Sequence, residues 1–381
     1  MRAAISIAAV LLYGSAAPAQ DQSKIDQAIR QGIEYLKTAG SPGHEYSGAK
    51  HCDELILWTF IHGDVPPSNP KFKQMLDRIL SEEPAQTYKV ALQAMCLEEL
   101  DRVKYQGRIA YCAQHLIDNQ CTNGQWSYGK PTVPPKDLPP AAVASGGEDK
   151  PRTGGVREFG GTEKKPKPKV TRKIQIVKQR DGGAEGDNSN SQYAALGLRA
   201  CFDAGIMIPE ATIASGMKWW TESVHAEDGG AGKGSVASGD GGKSQGLGYK
   251  GATEGEAYGS MTAGAVGSVT IYDYMLKKDF KKNPLAKNGL TWLGGHYSVT
   301  ENPARGGEWY LYYLYGLERA GILYDTPKIG GKDWYADGAK VLVASQGADG
   351  SWGGEWNTCF AILFLKKATR PLVATEAGGK K

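Results

Sequence analysis

Among the 381 residues there is no Cys-x-x-Cys, and no two cysteines sit beside a histidine at metal-ligand spacing. Zinc-ribbon and thioredoxin-like chemistry are thereby excluded. Histidine is scarce, with six in all: His44, His51, His62, His115, His225 and His296. Only His44 and His51, with Cys52 and Asp53, form a local cluster, and no metal is assigned to it. Charge of one sign is also lacking, since the formal balance is only +4. Lys130 to Glu185 holds 13 basic and 7 acidic residues, so the rest of the chain is slightly acidic. This is not the footprint of a general nucleic-acid binder. No segment reaches the roughly 20 apolar residues that a membrane-spanning helix needs.

Residues 1–19 read MRAAISIAAVLLYGSAAPA: a short positive start, an apolar run from Ile5 to Tyr13, and a small-residue Ala17-Pro18-Ala19 site. The expectation is a secretory signal cut after Ala19 and an exported protein, periplasmic or extracellular. In an oxidising compartment the six cysteines (Cys52, Cys96, Cys112, Cys121, Cys201 and Cys359) could pair, with Cys112 and Cys121 close enough in sequence to clip a helix end to the next loop. Buried apolar thiols are the competing reading.

Two classes of segment alternate along the chain. Amphipathic stripes run over Ile25 to Leu36, Phe72 to Leu80, Arg108 to Ile117, Ile213 to Trp220, Leu285 to Leu293 and Asp337 to Ala344. More uniformly apolar stretches run over Cys52 to Ile61, Tyr88 to Leu100, Ser189 to Ala204, Met261 to Leu276, Trp309 to Ala320 and Asn357 to Lys366. Between the classes lie Gly-rich joints carrying an aromatic: CTNGQWSYG (Cys121 to Gly129), ADGSWGG (Ala348 to Gly354) and, more loosely, HAEDGGAGKG with GLGYKG (His225 to Gly251). Glycine permits a tight turn with positive φ, and the aromatic packs back over the helix ends. About six helix pairs of this kind must bury their stripes by stacking on one another. The expectation is an all-α fold, an α/α toroid with the apolar class inside. DGSWGG is then a joint, not a unique catalytic loop.

The joints GQWSYG and GSWGG resemble the Gln-Trp motifs of the squalene–hopene cyclase and protein prenyltransferase superfamily. DNSNSQYAALGL (Asp187 to Leu198), GGEWYLYYLYGLERAG (Gly306 to Gly321), KDWYADGAKVLVASQGADGSW (Lys332 to Trp352) and NTCFAILFLKKATRP (Asn357 to Pro371) resemble exported bacterial prenyltransferase/squalene-oxidase-repeat proteins. The resemblance implies the toroid over residues 20–381. It implies no single activity, because this fold hosts cyclases, lipid transferases and binding domains.

Residues 131–186 interrupt the pattern. They hold 8 of the 19 prolines and the run KKPKPK (Lys164 to Lys169), a composition that cannot fold alone and is read as a disordered basic insertion within one domain. Within it VTRKIQIV (Val170 to Val177) alternates like a short strand that could pack on the helices.

In a toroid the apolar helices point their N-termini at one mouth of a cavity. The residues expected there include His51, Asp53 and Glu54; Thr87 and Tyr88; Asn188, Asn190, Gln192 and Tyr193; Met261 and Thr262; Glu308, Trp309, Tyr310 and Tyr313; and Trp356, Asn357, Thr358 and Cys359. An aromatic and amide-rich lining suits an apolar small molecule or an extended peptide. The family chemistries meet obstacles. There is no Asp-x-Asp-Asp for a cyclase; the nearest acidic groups are Asp53-Glu54, Glu254 with Glu256, and Glu308. Where the transferases carry a zinc-binding His, this chain has Asn357, and no Asp-x-Cys precedes the fifth apolar helix, so no zinc and no cofactor is expected. No Cys-Gly-Glu-Gln thioester motif and no Gly-x-Ser-x-Gly elbow occurs, and AGKGSV (Ala231 to Val236) lacks the Gly-Lys-Ser/Thr of a phosphate loop. Two pairings complete the sequence expectations: Cys52 with Cys359 as a staple between the first and last apolar helices, and Asp53 with Glu308 as an acid pair. The favoured function is a binding and interaction module. The alternatives are an isoprenoid-acting enzyme and a carbohydrate-active α/α barrel, for which Asp53 and Glu308 are the candidate carboxylates.

Overall fold

The computed structural model describes residues 20–43, 49–136, 138, 148–149, 167–225, 243–253 and 255–372. The expected leader (1–19), His44, Glu254 and much of the insertion lie outside them. The described residues are mostly helical, with three two-residue strand pairs. In chain order the helices are α1 (Gln20–Thr38), α2 (Asp53–His62), α3 (Pro70–Ser81), α4 (Thr87–Asp101), α5 (Gln106–Asp118), α6 (Asn188–Asp203), α7 (Glu210–Glu222), α8 (Gly259–Met275), α9 (Pro284–Gly295), α10 (Tyr310–Leu323), α11 (Trp334–Ser345) and α12 (Glu355–Leu365).

The two sequence classes behave differently. Helix α3 buries Phe72, Met75 and Ile79, the i, i+3, i+7 stripe of an amphipathic helix with one wet face. Helix α8 buries every residue except Tyr274, so it is enclosed on all sides. The amphipathic helices α3 and α9 start alike, on Asn69-Pro70 and Asn283-Pro284. In both the Asn Oδ1 accepts two backbone N–H groups of the first turn and proline fills the first helical position. The even-numbered helices contact one another in chain order, from α2 to α12, and α12 also contacts α2 and α1.

The joints are structural equivalents down to single hydrogen bonds. Trp126 Nε1–H donates to Leu116 O (2.7 Å), and Trp352 Nε1–H to Leu342 O (2.9 Å), each ten residues back. The Trp126 backbone N–H donates to Ser191 Oγ (3.0 Å) in the first turn of the next helix, and that of Trp352 to Thr358 Oγ1 (3.1 Å). In the looser third joint Leu247 takes the same place, donating to Thr262 Oγ1 at 3.0 Å. Two residues before each tryptophan a glycine holds a positive φ, +95° at Gly124 and +85° at Gly350. A Cβ there would stand 2.4 Å from Ser215 O of α7 or 2.7 Å from Gln31 O of α1. Gln120 donates to Gly124 O and to Thr212 O of α7, while Gln346 donates to Gly350 O and to Ala28 O of α1. The last joint therefore grips the first helix just as the α5–α6 joint grips α7.

Part of the insertion departs from the disorder expected of it. Ile174–Gln175 pairs in parallel with Ile206–Met207, and Ile176 is buried, as the alternation in VTRKIQIV foreshadowed. Gln179 N–H donates to Asp118 Oδ1 (2.8 Å), and Gln114 Nε2 donates to Val177 O (2.8 Å). Lys167, from the basic run, is buried against Glu98 and Glu99 at the end of α4. Composition alone missed this because the acidic partners lie some 70 positions away. All six cysteines are free, buried thiols. Cys112 faces inward to Gln93 Oε1 (3.1 Å) rather than toward Cys121, and Cys52 sits 3.8 Å from Ser41 Oγ, so neither expected pairing is present.

Candidate functional site: a cavity over the even-numbered helix starts

The first turns of α2, α4, α6, α8, α10 and α12 all contribute to one cavity of about 590 Å³. Nine aromatic side chains line it: Tyr88, Tyr128, Tyr193, Tyr249, Tyr258, Trp309, Tyr312, Trp356 and Phe360. Helical periodicity chooses them. Tyr88 and Leu92, Ser189 and Tyr193, and Trp356 and Phe360 are i, i+4 pairs, and Trp309 and Tyr312 an i, i+3 pair, so α4, α6, α10 and α12 each show the cavity one narrow stripe. The rings are interlocked. Tyr88 lies 4.4 Å from Tyr193, Tyr193 stacks on Tyr312 at 6.2 Å, and Tyr312 meets Phe360 edge-on at 5.6 Å. Trp309 caps α10 with φ +55° and stays half exposed at the rim. A bulky residue in that left-handed conformation is strained, and such strain concentrates at ligand-contacting positions.

Of the residues expected here, His51, Glu54, Tyr88, Tyr193, Met261, Glu308, Trp309 and Trp356 line the cavity. The others serve the scaffold. Gln192 sits behind the wall, donating to Tyr312 Oη (2.7 Å) and accepting from the buried Arg319 (3.0 Å), whose guanidinium lies over Tyr193 and Tyr315. Asn190 is tied to Asp187, Tyr310 donates to Val299 O, and Tyr313 donates to Ser298 O. Asn357 is exposed and donates to Gly353 O, and Thr358 belongs to the Trp352 joint. Asp53 is not with Glu308. Its carboxylate accepts from Ser41 and pairs with Arg78 at 2.9 Å, in a separate cleft beside α3 that includes Lys71. A first turn spreads its side chains all round the axis, so proximity to a helix start does not by itself select the cavity face.

The carboxyl that does stand in the cavity next to α2 is Glu54. It is 3% exposed and lines both the main cavity and an adjoining cleft of about 360 Å³. Burial pushes its pKa up to about 7, against the pull of Lys89. Glu54 Oε1 lies 3.5 Å from Lys89 Nζ, and Oε2 has no hydrogen-bond partner among the described residues. His51 Nε2 stands 3.1 Å from both Glu82 and Lys89 Nζ, and its Nδ1 lies 3.9 Å from Glu54 Oε2. Lys89 and His51 thus link Glu54 to the more exposed Glu82. The adjacency Asp53-Glu54 was visible in the sequence, but which of the two faces the cavity was not. Among the described residues no three His, Cys, Asp or Glu side chains are grouped to hold a metal ion, and none of the helices is long and apolar enough to cross a membrane.

No protein-family model matches this chain, and no curated protein matches it.

Proposed function

We propose that the chain is an exported α/α-toroid protein that acts as a binding module, taking an elongated, largely apolar ligand into its central cavity. Closure is supported by the contacts of α12 with α2 and by the Gln346 and Gly350 joint on α1, which repeats the α5–α6 joint on α7. The binding reading rests on one observation above the others, an aromatic-walled cavity of about 590 Å³ to which the first turns of six helices contribute. That volume lies within the range of small-molecule sites. The family resemblance of the joints agrees with the toroid, while the missing Asp-x-Asp-Asp weighs against cyclase chemistry. One observation favours the glycan-acting alternative: Glu54 and Glu308 share the cavity.

The test is titration of the full chain with phenylnaphthylamine, a neutral apolar probe, followed by probe fluorescence and by quenching of Trp309 and Trp356. Saturable binding of one probe per chain is expected. Trp309→Ala or Trp356→Ala should weaken it by about tenfold, equivalent to about 1.4 kcal/mol. Non-saturable binding, or binding indifferent to both substitutions, would remove the cavity reading. Release of a glycan fragment by the wild type, lost in Glu308→Gln, would move the weight to the hydrolase.

A further inference from the structure

The inference concerns the polar end of the cavity and rests on the binding reading just given. Glu54 is buried, lines the cavity, and has an oxygen with no hydrogen-bond partner among the described residues. Such a group costs on the order of 1–3 kcal/mol unless a partner arrives. The groups facing it are known on every side. Asp53, His51 and Cys52 flank it on its own segment, Lys89 and Cys96 face it from α4, Glu82 from the turn before α4, and Cys112 from α5. Lys89 approaches Oε1, and Oε2 lies 3.9 Å from His51 Nδ1 without a hydrogen-bond partner among the described residues, so the carboxyl that lines the cavity is left half satisfied. Neither α2 nor α4 has a side-chain cap, so the adjacent helix ends also offer positive potential.

We propose that the cavity takes a single-chain carboxylate, an acyl chain whose head accepts hydrogen bonds from the protonated Glu54 carboxyl and from Lys89 while the chain lies along the aromatic wall. Two donors and one cation match the two oxygens and single charge of a carboxylate. An amine head would bring a further cation beside Lys89 and two helix N-termini. A neutral alcohol would satisfy Glu54 but leave Lys89 unused. The head requires Glu54 to be protonated, which holds below about pH 7. At higher pH two carboxylates would face each other. Affinity should therefore fall as pH rises, by on the order of tenfold from pH 6 to pH 8.

The experiment compares laurate, dodecanol and dodecylamine, each below its micelle threshold, on the full chain at pH 6 and pH 8, with phenylnaphthylamine as the reference probe. Laurate itself stays ionised at both, so the change reports the protein. The expected result is laurate bound more tightly than dodecylamine, and about tenfold more weakly at pH 8. Glu54→Gln keeps an N–H donor, so laurate should still bind but with the pH ratio near one. Lys89→Met should weaken laurate and leave dodecanol unchanged. A preference for dodecylamine, or laurate and dodecanol binding alike with no pH dependence, would overturn the proposal while leaving the cavity reading intact. Failure of phenylnaphthylamine and all three chains to bind would overturn both.

Discussion

Trp126→Ala is expected to destabilise the fold by about 3–5 kcal/mol, and Trp352→Ala by a similar amount, because each removes a whole buried indole from a site that cannot collapse around the gap. Trp126 is fully buried and Trp352 nearly so. Each indole N–H closes the carbonyl left open near the end of the preceding helix, Leu116 O or Leu342 O. Truncation therefore opens a cavity and removes the indole donor from that carbonyl, leaving Leu342 O only the longer bond from Ser345 Oγ at 3.3 Å. The joint around the ring is held independently through Gln120 or Gln346 and the glycine turn, so the backbone has little freedom to move in. Urea titration followed by far-UV circular dichroism measures the effect. Equal losses in the two variants fit two copies of one device. A loss under about 1 kcal/mol in either would show that its joint is not the structural element described here. Trp126→Phe and Trp352→Phe should fall between, since they retain most of the ring and lose only the N–H bond.

The likeness of the two joints was legible in the sequence because the Gly and the Trp two residues later are local in both; the hydroxyl is local only in the last joint, since Ser191 lies 65 residues beyond Trp126. The Gly, the Trp two residues later and the hydroxyl in the following helix lie within one short window at Gly350, Trp352 and Thr358. Helix class was legible for a related reason. The stripe of Phe72, Met75 and Ile79 has a period that neighbours in sequence reveal, and the uniform apolarity of α8 leaves it no wet face. What sequence could not supply was orientation around the axis at the helix starts. Asp53 and Glu54 are adjacent and both acidic, yet one turns to Arg78 and the other into the cavity. Tyr310, Tyr313 and Trp309 were equally plausible linings, but only Trp309 lines the cavity, joined by Tyr312, which the sequence reading left out. That last residue was recoverable, since it falls one turn beyond Trp309 on the same stripe. The strand in VTRKIQIV was recoverable from its alternation, but the docking of Lys167 was not, because it finds its carboxylates on a helix distant in the chain.

Those carboxylates carry the second large expected effect. Glu99 is buried between two cations. Lys167 Nζ lies 2.9 Å from it, and Arg370 binds it through both Nε (2.6 Å) and Nη2. Arg102 secures the same insertion strand by donating to Pro168 O at 2.8 Å. Glu99→Ala would leave Arg370 without its bidentate partner and Lys167 with Glu98 alone, in a place water reaches poorly. The expected cost is about 3–5 kcal/mol, the scale for breaking a buried pair by removing one side. The exposed Lys37–Glu34 pair, by contrast, should be worth under about 1 kcal/mol. Burial would raise the Glu99 carboxyl, but Lys167 and Arg370 outweigh it and hold its pKa well below the usual range. Its contribution is therefore complete above the unfolded value of about 4.3 and is lost as pH falls through the depressed folded value. Wild-type stability should drop below about pH 4 more steeply than that of Glu99→Gln. Because Glu99 joins the insertion to the tail segment at Arg370, the same variant should be cut faster by trypsin within residues 131–186 at neutral pH. A Glu99→Gln protein with wild-type proteolysis and an unchanged acid limb would mean that the buried cluster does not hold the insertion, and that Ile174, Ile176 and the Gln114 and Asp118 contacts suffice to dock it.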